Sequence, residues 1–194
     1  MELLAENGRT RRPRTGIVAL LALLTIATAI AGCGKKKDAE TPPDNTAIFQ
    51  RIAAVQARAD QIFAARDTMK SIRGRWSEPG VASTYVARRS AGRIRFLEEA
   101  EDRGEYGSSD NRYYCDESGV FFFYEDRGEE REPRGTLPPM SRLVQRTAIF
   151  DSSGALAWGR RLVDGAASTL PDSQAVTIRE RAAVLLAHAA AMSP

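Results

Sequence analysis

Few side chains in this 194-residue protein have the types and spacing that chemistry needs: two cysteines, Cys33 and Cys115, one histidine, His188, and scattered pairs of carboxylates. A hydrolase built on a nucleophile needs a base within reach. His188 sits beside Leu185 and Met192 on an apolar stripe, where packing is the simpler role. One histidine and one free cysteine in separate elements do not make a zinc site, so no metal and no cofactor is expected. Glu98 with Glu99, and Asp126 with Glu129 and Glu130, are the residue types of glycosidase chemistry on cell-wall sugars. Charged hairpin ends account for them equally well. The glycines lie in turn-like settings and do not form the Gly-rich strand-to-helix motif that cradles phosphate.

Cys33 stands apart because of what precedes it. Arg9, Arg11, Arg12 and Arg14 form a basic segment, residues 16–29 form an apolar run broken only by Thr25 and Thr28, and Ile30-Ala31-Gly32-Cys33 closes it. This is a secretory signal layout. A membrane-spanning helix needs roughly 20 predominantly apolar residues, whereas this run is shorter and meets Gly34, Lys35, Lys36 and Lys37 at once. The four-residue step resembles the lipobox of bacterial lipoproteins: an aliphatic residue, two small ones and cysteine. The resemblance implies transfer of diacylglyceryl to the Cys33 sulfur, palmitate-like acyl chains included, and cleavage just before it. Two or three acyl chains on one cysteine hold a protein durably at a bilayer where one holds it only marginally. It also implies an address: residue 34 is Gly rather than the inner-membrane retention signal Asp. The expected location is the outer membrane facing the periplasm in a two-membrane bacterium, and otherwise the outer face of the plasma membrane.

The chain then divides into a signal peptide (1–32), a tether (33–45) made polar by GKKKDAETPPDN, and a single domain (46–194). Removing residues 1–32 deletes four Arg and two Glu, so the formal charge falls from +3 to +1. A nearly neutral chain with interleaved signs gives no case for nucleic acid. With Cys33 acylated, Cys115 has no disulfide partner and is expected to be buried.

Within the domain, Ile48, Ile52, Val55, Ala59, Ile62, Met69 and Ile72 recur at helical spacing, which predicts a long amphipathic helix from Thr46 to about Arg73 that Gly74 stops. A second helix is predicted over Pro171–Met192, striped by Ala175, Ile178, Ala182, Leu185, Ala189 and Met192. Between them, from Trp76 to Leu162, the period is two and the residues are aromatic or branched, which predicts strands. Residues 126–139, charged and carrying Pro133, Pro138 and Pro139, are expected to form a long loop.

Asp116-Glu-Ser-Gly119 and Asp151-Ser-Ser-Gly154, with Arg89-Ser-Ala-Gly92 as a degenerate copy, start 27 and 35 residues apart. Asp opening and Gly closing suit a type I turn followed by a left-handed glycine. The units are similar to the aromatic-Asp-x-x-Gly-x-hydrophobic pattern of bacterial MORN-like and YD-type hairpin repeats, and no function comes with that likeness. The fold class expected is α+β: an antiparallel meander of about three hairpins, flanked by the N-terminal and C-terminal helices, both on one core face.

Pairing each turn's first residue with the residue after its glycine sorts side chains between faces. Val86, Ile94, Phe96, Tyr113, Cys115, Phe121, Phe123, Ala148, Phe150, Leu156 and Trp158 fall on the core face. Tyr85, Arg95, Arg112, Tyr114, Phe122 and Tyr124 fall on the other, which makes them a candidate interaction patch, since aromatic and Arg side chains anchor interfaces. The function expected is a membrane-tethered envelope module that binds a protein or glycan partner. The alternative is an envelope hydrolase working through the carboxylates.

Overall fold

The computed structural model describes residues 46–192; the signal peptide, Cys33 and the tether lie outside them. The stripe Ile52, Val55, Ala59 and Ile62 produces helix α1, Thr46–Ala65. It ends earlier than its apolar spacing predicts. Thr68 turns its hydroxyl back to the Ala65 carbonyl at 2.7 Å, a 3-10 turn covers Arg66–Thr68, and Ile72 enters a strand instead. Gly74 is no helix stop: it lies mid-strand, where a Cβ would overlap the Tyr85 ring.

Eight strands follow: β1 (Lys70–Glu78), β2 (Val81–Ser90), β3 (Arg93–Asp102), β4 (Gly107–Cys115), β5 (Phe121–Arg134), β6 (Leu137–Phe150), β7 (Leu156–Val163) and β8 (Ala166–Thr169). They make one antiparallel sheet in chain order, four hairpins where three were expected. Helix α2, Asp172–Ala191, opens after Pro171 and buries Ala175, Ile178, Ala182, Leu185 and Ala189, the predicted stripe without Met192.

Residues 126–139 are not a loop. They belong to the longest hairpin, whose far end, residues 131–143, extends beyond the pairing of β4 and β7 as a two-stranded ribbon. Proline is tolerated there because Pro133 occupies the register shift between Glu132 and Arg134, where no ladder bond is required of it.

The two Asp-x-x-Gly turns form as expected. Asp116 accepts from the backbone N–H groups of Ser118 and Val120 at 2.9 Å each, and Asp151 from those of Ser153 and Ala155 at 2.8 and 3.0 Å. Gly119 and Gly154 take φ of 86° and 80°. The third copy differs. Ser90 pairs with Arg93 around Ala91 and Gly92, both at positive φ, which is a two-residue turn rather than the longer one predicted.

Each of these three hairpins slips register immediately behind its turn, at Arg88/Arg89, Tyr114/Cys115 and Ile149/Phe150. The extra residues are Arg95, Phe122 and Ala157. Beyond each bulge every side chain changes face relative to an unbroken alternation. One face therefore gathers Tyr85, Ala87, Leu97, Tyr113, Tyr124, Ala148 and Phe150 under α2, while the other gathers Phe96, Tyr114, Phe123 and Ile149 under α1. Neighbours in sequence, Phe96 and Leu97 or Tyr113 and Tyr114, point to opposite cores. The helices thus take opposite faces of the sheet, not the same one.

Candidate functional site

The six residues of the predicted patch do not come together. Tyr85 and Tyr124 lie under α2, and Tyr114, Phe122, Arg95 and Arg112 lie on the α1 side, because the bulges that precede Phe96 and Phe123 reverse the assumed alternation. Their polar groups are already used. Tyr85 Oη is 2.6 Å from His188 Nδ1, Tyr114 Oη donates to Glu125 at 2.7 Å, and Arg95 bonds the Cys115 carbonyl at 3.2 Å and Glu117 at 2.8 Å. Arg112 lies over the Phe63 ring, and Arg58 over that of Phe122, at 4.6 and 4.7 Å. Both faces are core at this end of the sheet.

His188 packs edge-on against Trp76 and Tyr85, as its place on the stripe predicts. Cys115 is fully buried, and burial, assisted by Asp116, pushes its thiol up to about 12.

The carboxylates considered for hydrolysis are committed to arginines. Glu98 meets Arg112 at 3.6 Å on the α1 side. Glu99, on the opposite face, accepts from Arg181 Nε at 3.1 Å, Tyr113 Oη at 2.8 Å and Asn111 Nδ2 at 3.1 Å. The chain continues through Tyr124, whose hydroxyl donates to Asp126 at 2.8 Å and lies 3.1 Å from Asn111 Oδ1, to the Asp126–Arg146 pair at 2.9 Å. Glu130 then holds both Arg146 and Arg161, at 3.2 and 3.0 Å. Arg181 ties α2 to β3 through Glu99 and to β1 and β2 through Glu78 and Ser83, and the rest of the seam links β3 to β7. Removing one partner of such a buried pair typically costs about 3–5 kcal/mol, because the other charge is left uncompensated.

Helix α1 covers only the turn-proximal half of its face. Past the ladder Glu98–Arg112–Glu125, closed at 3.6 and 3.2 Å, the same face continues uncovered as the row Arg75, Thr84, Ala100, Asp110 and Arg127, all exposed. The next row is Ser77, Ala82, Asp102, Ser108 and Glu129. Small side chains in mid-row and long ones at the ends leave a trough of about 1010 Å³, bordered by Arg131 and Leu143 of the ribbon. Arg75 and Arg127 stand four strands apart, about 19 Å at ordinary strand spacing.

Within the trough, Arg131 pairs with Glu129 at 3.0 Å and holds that carboxyl down at about 2. Asp102 caps the Gly104 N–H at 2.8 Å. Arg75, Arg127 and Asp110 have no hydrogen-bond or ion-pair partner among the described residues, so the floor offers two guanidinium groups, one carboxylate and the hydroxyls of Ser77, Thr84 and Ser108. Glu101, whose side chain shares the opposite face with Glu99 and accepts from Asn111 at 3.2 Å, has its carboxyl raised by burial and by Glu99. The sequence does not show the trough, because Arg127 falls in the expected loop and Arg75 between the expected helix and the first expected strand. Only the registered alternation of five strands aligns them.

No protein family, curated protein or solved structure matches this chain. Among the described residues no cluster of three potential metal ligands occurs, and no helix is long and apolar enough to cross a membrane.

Proposed function

We propose that this protein is a lipid-anchored bacterial envelope lipoprotein, tethered through Cys33, that binds another envelope component in the trough between Arg75 and Arg127. The observation that carries this reading is a solvent-open polar floor of about 1010 Å³ with two unpaired arginines and an unpaired Asp110, beside the end of the sheet that is packed on both faces. Its hydroxyl and charged lining favours a glycan over an apolar protein surface, since each of these groups pairs with a sugar hydroxyl or carboxylate. Outer-membrane attachment facing the periplasm, or the outer leaflet in a one-membrane cell, belongs to the same proposal. Binding is preferred to carboxylate hydrolysis because Glu98, Glu99, Glu129 and Glu130 are all held by arginines.

The test is sedimentation with purified cell-wall glycan. The double substitution Arg75→Glu, Arg127→Glu is expected to weaken binding at least tenfold, about 1.4 kcal/mol, at unchanged melting temperature, because both side chains are exposed. Undiminished binding would place the ligand elsewhere.

A further inference from the structure

Helix α1 is longer than the surface it packs on. Its fully buried residues are Ala59 and Ile62, Ile52 and Val55 are half-buried, and residues 46–51 are all exposed. Ile48, one turn before Ile52 on the same stripe, is 52 % exposed, and Phe49 beside it is 66 % exposed, the largest figure among the exposed large apolar side chains. An aromatic and a branched side chain exposed to this degree contribute little to holding the domain together.

We infer that this overhanging turn docks in the headgroup and acyl boundary of the bilayer to which the chain is attached, with Ile48 and Phe49 as its apolar face. The inference rests on the Cys33 anchor proposed above. Twelve residues separate Cys33 from Thr46, so the covalent reach between lipid and helix is at most about 45 Å. Docking is therefore intramolecular, and a contact too weak to recruit a free protein is enough for a tethered one. The charges fit an anionic surface. The first turn holds no acidic side chain, and Arg51 stands exposed beside the stripe, where its stem can lie along the apolar layer with the guanidinium among headgroups. Seating the helix end fixes which way the domain stands on the membrane. The trough, on the same sheet face as α1, is then held at a set orientation to the surface.

The experiment uses the full lipidated chain reconstituted in vesicles of phosphatidylethanolamine and phosphatidylglycerol that contain a brominated lipid. A parallel sample is coupled through the Cys33 sulfur of unacylated chain to a maleimide lipid in the same vesicles. Phe49→Trp places an indole at the turn, and Val176→Trp places one on the exposed side of α2 (Val176 is 42 % exposed) as a control. An indole seated about 5–10 Å into the interface should lose roughly half of its added fluorescence to the bromines, while the control and the parent protein lose none. Equal, negligible quenching of both variants would overturn the docking, as would concentration-dependent dimerisation through this turn without quenching. Mass measurement of the peptide bearing Cys33 separates the two readings. An unmodified sulfur sinks the anchor, while quenching in the maleimide-coupled sample still decides the helix.

Discussion

Burial sets the chemistry of Cys115. Desolvation raises the thiol first and Asp116 next, with Arg95 opposing them, and the value of about 12 leaves roughly one molecule in ten thousand as thiolate at pH 8. Thiol reagents are therefore expected to modify it only as fast as the protein opens, with labelling accelerating across the unfolding transition. Prompt reaction in native buffer would show that the β4 end is not packed as described. This burial was legible in the sequence, because Cys115 sits one residue before a hairpin turn, on the near side of the bulge, where the inferred register holds. Phe123 and Trp158 lie just past their bulges, and the same reasoning put them on the wrong face. Glu101 and Asp126 show a further effect of burial: both carboxyls are raised. Their folded forms favour the proton, so their contribution to stability grows as pH falls through the folded value toward about 4. Asp116 and Asp151, lowered by their turn hydrogen bonds, act in the opposite sense and lose stability on acidification.

At the level of elements, turns could be read and bulges could not. An Asp-x-x-Gly turn is specified by residues within it, since the Asp side chain bonds the next N–H groups and glycine supplies the positive φ. A bulge is specified by what the two strands bury on both faces. Arg95, Phe122 and Ala157 share no residue type, so nothing local marks them. The same limit explains the ribbon, where charge and proline suggested a loop although pairing with β6 continues through residue 134. Deletion separates the cases. Removing Ala157 restores regular pairing of Leu156 with Phe150 and Trp158 with Ile149 and leaves both on their present faces. Removing Gly159 instead brings Arg160 into the position opposite Ala148, beneath Leu170. The first deletion is expected to shift the melting temperature by only a few degrees, about 1 kcal/mol. The second should lower it much further or abolish folding. Equal losses in thermal melts would mean that the extra residue is needed for packing and is not a spacer.

At the scale of the described domain, a single sheet with one helix on each face sets both cooperativity and its limits. Every strand pairs with its neighbour in sequence, so loop closures are short. The two cores are unequal. The α2 side joins five helix residues to Tyr85, Leu97, Tyr113, Tyr124 and Phe150 and adds the Glu99–Arg181 pair, whereas α1 contributes only Ala59 and Ile62 as fully buried residues. Strands β3 to β6 supply side chains to both cores, while β8 is exposed throughout and so are residues 46–51 of α1. Hydrogen exchange is therefore expected to be slowest in β3 to β6, intermediate in α2 and fastest at residues 46–51 and in β8. Ile62→Ala tests whether α1 opens on its own. An Ile to Ala cavity typically costs about 2–5 kcal/mol, which should speed exchange across α1 more than about tenfold, with the α2 amides unchanged in buffer that holds the rest of the protein folded. If α2 accelerated to the same extent, the two faces would open as one unit, and the sheet would transmit every loss on one side to the other.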